Sequence, residues 1–417
     1  MFSKILKKGS LKANVLSMFI GNLAYAFFSW AQISLVAKFS DGVILGQYTL
    51  AIAIITPLYL FTNMQLRSLI ITDNRGDFDF SDYSNFRRIS NSILTIISIV
   101  IAFLLNTENP WIIILFTLIK VVESNSEIIN SFFQKREQMH YISLSIFLKS
   151  LLGFIGMLIG MVYFKDIIIG LSLCLLNNIV VYIFYDRKIA HKNEINTTSK
   201  ALDYVSIKKI LLVAFPLGLV SGIISLNGNV SKFFIEESLG TEIQGIYSSI
   251  SYLIILGTFV CNAIGASFAP RLSKYYSENK IQSFNNLKNK FLAFNIFIGV
   301  FAWVVTYFFG KHMLLFFFNE KIAHYNYLLN WIMLVGLFNY ILTALGYTLT
   351  SIRAFKIQPI INVISLILKI LTLGYFIKKY NILGAIYAQL LVAFIQSLWI
   401  FGYIQLQLKS KDKLSKI

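Results

Sequence analysis

The chain has 417 residues, 57% of them hydrophobic and only 13% charged, with 37 Lys and Arg against 19 Asp and Glu for a net charge of +18. So little charge cannot cover the surface of a water-soluble domain, so no soluble domain of any size is expected. The basic excess sits in short segments between apolar runs, where the positive-inside rule accounts for it; it does not indicate nucleic acid.

The N-terminal Lys4, Lys7, Lys8 and Lys12 resemble the basic start of a signal peptide. The apolar stretch that follows, Asn14 to Phe39, is too long for a signal core and lacks a small-residue cleavage site, so it reads as a first membrane helix. A bilayer core takes about 20 apolar residues as helix. That ruler gives spans near 14–39, 43–71, 89–106, 110–133, 140–163 and 167–185, then 210–235, 244–269, 291–310, 331–353, 358–377 and 382–405. Backbone groups in lipid must be hydrogen-bonded within their own segment, which favours helices over isolated strands. The expected class is therefore an all-α polytopic membrane protein with about twelve transmembrane helices.

With the N-terminus inside, 26 Lys and Arg fall on cytosolic segments and 7 on outward ones. That asymmetry places both termini in the cytosol of a bacterial inner membrane protein. The polar break at 186–209 divides the chain into an N-terminal lobe, 1–195, and a C-terminal lobe, 196–417, with six helices each. A faint echo at an offset of 199 residues sets Gly46, Tyr48 and Asn63 on Gly245, Tyr247 and Asn262. Six helices per half give both copies one orientation, which predicts two bundles about an axis along the membrane normal with a central cavity.

Charges inside a bilayer are costly and are commonly functional or paired. Arg67, Lys120, Lys149 and Lys369 fall within spans, and Lys232 ends the seventh. Arg67 either snorkels to headgroups or faces the cavity. On the fourth span Lys120, Glu123 and Glu127 follow i, i+3, i+7 spacing and share a face. Lys149 lies at a depth similar to Glu127, so a pair between them is expected. Glu123 and Glu127 are either a structural ion-pair stripe or an ion-coupling site whose proton affinity burial raises. Lys369 has no acid in its own helix, so it either bonds carbonyls or lines the cavity. The run Ser225 to Ser231 before Lys232 is expected to loosen its helix, with an interfacial lysine as the alternative. Surplus positive charge suits an anionic substrate such as a lipid pyrophosphate. Asn22, Asn63, Asn227, Asn229 and Asn262 are candidates for sugar contacts; the competing role for each, and for Asn177 and Asn178, is helix–helix hydrogen bonding.

Enzyme signatures are absent: there is no Walker loop and no nucleophile elbow. Cys174 and Cys261 read as buried thiols, the four histidines make no ligand motif, and no cofactor is expected.

Several segments carry a resemblance. They are Asn63-Met64-Gln65-Leu66-Arg67 with Asp73, then Lys120, Glu123 and Ser124, then Gln134 to Met139; the second half adds Phe215-Pro216-Leu217-Gly218, Ser225-Leu226-Asn227, Leu239-Gly240 before Gly245-Ile246-Tyr247, and Pro270-Arg271-Leu272. In this order they resemble the Wzx-type O-antigen and polysaccharide repeat-unit flippases of the multidrug/oligosaccharidyl-lipid/polysaccharide (MOP) superfamily. The resemblance implies alternating access between two MATE-like lobes and an undecaprenyl-pyrophosphate oligosaccharide cargo. It also implies ion-gradient coupling, membrane lipids as surroundings, and a polysaccharide polymerase and chain-length regulator as partners. It carries roles to Arg67, Lys120 and Glu123. Where family members often show Pro-Arg, this chain has Ser231-Lys232, which keeps the charge and loses the guanidinium fork. The rivals are a cation-coupled drug exporter of the same superfamily and a membrane polysaccharide polymerase.

Overall fold

The computed structural model describes residues 11–73, 78–105, 109–195 and 201–414. Lys4, Lys7, Lys8, Arg75, Lys200 and Lys416, all counted in the topology reading, lie outside them. The described residues form helices joined by turns and short loops, with no strand among them. In chain order the helices are α1 (Leu11–Phe39), α2 (Gly42–Asn63), α3 (Leu66–Thr72), α4 (Phe80–Leu104), α5 (Trp111–Lys135), α6 (Met139–Ile159) and α7 (Ile167–Val181). A short helical turn, Lys188–Lys192, follows, and then come α8 (Tyr204–Leu239), α9 (Thr241–Ser251), α10 (Leu253–Ser277), α11 (Ile281–Phe317), the short α12 (Glu320–Ala323), α13 (Asn326–Ser351) and α14 (Ile357–Leu414).

Ten stretches of the described residues are long and apolar enough to cross a membrane. The last, Ile357–Lys411, is two arms joined at Asn381, whose φ of 51° and ψ of −135° break the helix. Counting both arms and adding the more polar α5 gives the twelve expected spans.

Polar residues set the helix starts. Asp41 accepts the N–H of Ile44 (2.8 Å), Asp166 that of Ile168 (2.6 Å), Asp203 that of Val205 (3.0 Å) and Asn319 that of Ile322 (2.9 Å). Each side chain satisfies a donor that the first helical turn leaves open. Pro57, Pro216 and Pro270 lie inside helices, a placement that membrane helices tolerate where neighbours re-satisfy the backbone. The spans are not all simple rods. α6 runs into a π turn at Gly160–Phe164 and α7 into another at Tyr182–Arg187.

The chain divides into two compact units, Met1–Asn229 and Val230–Ile417. The division falls inside α8 because the first half of that helix packs into the N-terminal unit. There Ile210 and Ala214 share a core with Leu66, Ile70, Tyr83, Phe86 and Ile128. In the N-terminal unit α5 is the hub, touching α2, α3, α4, α6 and α7. In the C-terminal unit α13 has that role, touching α9, α10, α11 and α14.

Candidate functional site

The polar chemistry of the N-terminal unit gathers on α5. Lys120 sits nine residues along that helix, which is about 14 Å from its start and near its middle. Its ammonium pairs with Glu123 (2.7 Å) and donates to the Tyr25 hydroxyl (3.1 Å). The rings of Phe116, Tyr25 and Tyr59 stand 5.4, 5.7 and 5.9 Å from it. The cation is thus caged by π faces and balanced by one carboxylate. The i, i+3 spacing seen in the sequence is the contact made.

One turn further on, Glu127 meets a different partner from the one expected. Arg87, 1% exposed, donates to Glu127 (3.4 Å) and to Asn63 Oδ1 (2.7 Å), while Asn63 Nδ2 donates to Glu127 (2.7 Å). Arg87 also reaches the Asn63 carbonyl (3.4 Å). That carbonyl ends α2, where Met64 and Gln65 take left-handed φ of 51° and 47°. A guanidinium therefore closes a broken helix end and holds α2, α4 and α5 together. The network continues through Asn91, which donates to Asn125 (3.2 Å) and accepts from Ser124 (2.8 Å).

The expected Lys149–Glu127 pair does not form. Lys149 binds Asp186 (2.6 Å) and the Ser126 hydroxyl instead. Ser126 and Glu127 are neighbours in sequence and so point about 100° apart on the helix. α6 approaches the Ser126 side, and α2 and α4 take Glu127. Asp186 reaches Lys149 because it lies in the π turn that ends α7. With side chains 9% and 1% exposed, this is an internal clamp.

Arg67 falls on the separate short helix α3, not on one continuous second span. Half-buried, it donates through Nε to Gln134 at the end of α5 (2.6 Å). That partner is neutral, so the charge is not cancelled there. Gln65 beside it donates to Ser221 (2.6 Å).

Among the remaining candidates, Lys232, 8% exposed, lies over the Tyr252 ring (4.9 Å). The run Ser225–Ser231 does not loosen its helix; α8 is helical across it, with Asn229 donating to Ser225 O (2.9 Å) in its own turn. Lys369 is half-buried in the first arm of α14. Asn22 and Asn262 are exposed and Asn227 is buried. Asn177 bonds Leu152 O (2.7 Å) across to α6, and Asn178 bonds Cys174 O (2.9 Å) within α7. Both cysteines are buried and unoxidised. Among the described residues no group of three or more His, Cys, Asp or Glu could hold a metal.

Sequence reasoning missed Arg87, which it placed in a cytosolic loop. α4 starts at Phe80, nine residues before the expected span. The buried positions Tyr83, Phe86, Arg87, Ser90, Asn91, Leu94 and Ser98 trace one helical stripe. That period, readable in the sequence, was the available signal.

Residues 11–276 match the polysaccharide biosynthesis protein family. The chain belongs to that family. A capsular polysaccharide biosynthesis protein of Staphylococcus aureus, CapF, is 25% identical over 370 residues, covering 88% of this chain and 92% of its own. Among solved structures, an inward-facing multidrug-resistance MATE transporter of the MOP superfamily matches with TM-score 0.70 at 15% identity, covering 97% of each chain. A Pyrococcus furiosus MOP-superfamily transporter, described as having a binding pocket of reversed polarity, matches with TM-score 0.64 at 13% identity, covering 97% and 98%. At that identity the likeness shows the fold alone, a polytopic, MATE-like, all-α membrane architecture.

Proposed function

We propose that this polysaccharide biosynthesis protein carries a polyprenyl-pyrophosphate-linked oligosaccharide from the cytosolic to the outer leaflet of the cytoplasmic membrane by alternating access. The observation that carries the reading is the polysaccharide-biosynthesis match on a transporter fold. Arg67, whose bonded partner is a neutral amide, is the first cation offered to the pyrophosphate. Lys120 meets an anion by exchanging Glu123, and the released carboxylate takes up the coupling ion. Arg87 and Glu127 hold the broken end of α2 while this happens. Lys149 is withdrawn from the substrate set, since Asp186 and Ser126 occupy its ammonium. Lys232, Lys369 and the asparagines remain proposals for the sugar path, and both termini are assigned to the cytosol. A polymerase and a chain-length regulator would act on the flipped product.

Chromosomal Arg67→Ala and Lys120→Ala variants, each at wild-type protein level, test the reading. Surface polysaccharide is expected to fall at least about tenfold, equivalent to about 1.4 kcal/mol, with the lipid-linked repeat unit accumulating inside. Normal polymer in both variants would overturn it, as would a purified protein that elongates glycan. The MATE-like fold also fits an ion-coupled drug exporter. A gene deletion that sensitises cells to cationic drugs while sparing surface polysaccharide would select that reading.

A further inference from the structure

α1 is exposed on two opposite faces, and only one of them suits lipid. Phe19, Ile20, Leu23 and Phe27, between 38% and 50% exposed, form an apolar stripe. At about 100° per residue, Asn22, Tyr25, Ser29 and Gln32 fall on a second stripe, roughly 150° away round the helix. Asn22 and Tyr25 are exposed, and Ser29 and Gln32 are half-buried. The four span about 15 Å, half of a bilayer core about 30 Å thick. Polar side chains on a membrane helix turn to protein or to a water-filled cavity, because acyl chains offer them no partner. The exposure of Asn22 and Tyr25 leaves the cavity.

Lys120 meets this stripe at Tyr25. Its ammonium donates to the Tyr25 hydroxyl (3.1 Å). That bond uses a lone pair of the phenol oxygen and leaves the phenol its own proton to give. Tyr25 is 37% exposed, so the proton can be offered on the cavity side.

We propose that Tyr25 is the second donor of an anion site at Lys120, the ammonium taking one phosphate oxygen and the Tyr25 hydroxyl its neighbour. A phosphate presents several oxygens, so donors from two helices can grip adjacent ones, and a charged acceptor makes each bond roughly twice as strong as a neutral one. Glu123 holds the ammonium at 2.7 Å before the anion arrives. When that carboxylate gives way, the Phe116 and Tyr59 rings and the Tyr25 oxygen still hold the ammonium in place. That the anion is the pyrophosphate of a lipid-linked sugar rests on the flippase reading.

Binding of undecaprenyl pyrophosphate, and of uncharged undecaprenol, to the purified full-length protein tests this by native mass spectrometry. Tyr25→Phe keeps the ring and loses the hydroxyl. It is expected to weaken undecaprenyl pyrophosphate about tenfold, the loss of one bond to a charged group, and to leave undecaprenol unchanged. Lys120→Ala should weaken the pyrophosphate more, and Leu23→Ala, on the lipid-facing stripe, should change neither ligand. Replacing Tyr25 with 3-fluorotyrosine separates a donor from a mere support for Lys120, because that hydroxyl donates better and accepts worse. Tighter pyrophosphate binding than wild type is expected; weaker binding overturns the proposal, and this variant decides even if Tyr25→Phe fails to fold. Undiminished binding by folded Tyr25→Phe overturns it as well. If Lys120→Ala alone loses the pyrophosphate, the flippase reading keeps its cation and only the role of Tyr25 falls. If neither variant loses it, the anion site at Lys120 falls with it.

Discussion

Truncating Arg87 would take the guanidinium from the Glu127 carboxylate, leaving it only the Asn63 amide, and would leave the Asn63 carbonyls without that donor. Losing one partner of a buried pair costs about 3–5 kcal/mol, because the other charge stays in an apolar place. Glu127 keeps 23% of its side chain exposed, so the lower end, about 3 kcal/mol, is expected. Thermal unfolding in detergent should show a clear drop for Arg87→Ala and a smaller one for Arg87→Lys; an unchanged melting temperature would mean the network holds nothing. Asp203 makes a pH prediction outside the membrane. The Ser206 hydroxyl, then the Val205 N–H, hold its carboxyl below the ordinary 3.8. A lowered folded value means its contribution is full above that ordinary value and fades as pH falls through the lowered one. Melting between pH 5 and pH 3 should therefore fall more steeply in wild type than in Asp203→Asn, which caps without titrating; parallel curves would refute this. The Lys120–Glu123 pair was legible in the sequence because it lies within one turn. Arg87–Glu127 and Lys149–Asp186 were not, because each joins helices whose rotation no linear pattern fixes.

Elements carry the next lesson. The spans were legible because about twenty apolar residues in a row admit little else in a bilayer. Their interruptions were not. The π turn at Tyr182–Arg187 rotates Asp186 off the ordinary helical register, and the break at Met64–Gln65 contains no glycine to announce it. The polar run Ser225–Ser231 looked like a weak point and is helical, with the Asn229 amide bonding the Ser225 carbonyl within the helix. Close packing supplies a sharper test. A Cβ on Gly160 would fall 2.2 Å from Gly170 Cα, backbone against backbone, where neither can yield. Gly402 meets nothing within 4 Å. Gly160→Ala should cost several degrees of melting temperature or abolish expression. Gly402→Ala should be neutral or slightly stabilising, since alanine favours helix over glycine by about 1 kcal/mol. Equal behaviour of the two variants would show that the α6–α7 contact is looser than described.

For the whole molecule, the count of Lys and Arg predicts sidedness, and labelling can read it. Cys174 and Cys261 are buried, so a cysteine-free background with alanine at both is the starting point. Tyr163, 82% exposed within the π turn that follows α6, is predicted on the outward side by that count, and Glu278, exposed after α10, on the cytosolic side. In intact cells an impermeant maleimide should label Tyr163→Cys at once and Glu278→Cys only after permeabilisation. The reverse pattern would invert the topology. The sequence set the boundary between halves at 195/196, whereas the compact units divide at Asn229/Val230. The contact boundary inside α8 was hidden because one unbroken apolar helix serves both units.

Met64 and Gln65 hold left-handed backbone with full side chains, where each such residue costs roughly 1–2 kcal/mol over the right-handed form. A glycine in either place would erase that penalty and deepen the kinked form. With side chains present, the junction behaves as a preloaded spring: the free-energy difference between the bent second span and a continuous one is smaller than a glycine joint would leave. Straightening would swing Arg67 and its end of α3, while the Arg87 bonds to Asn63 set the load that keeps the spring cocked.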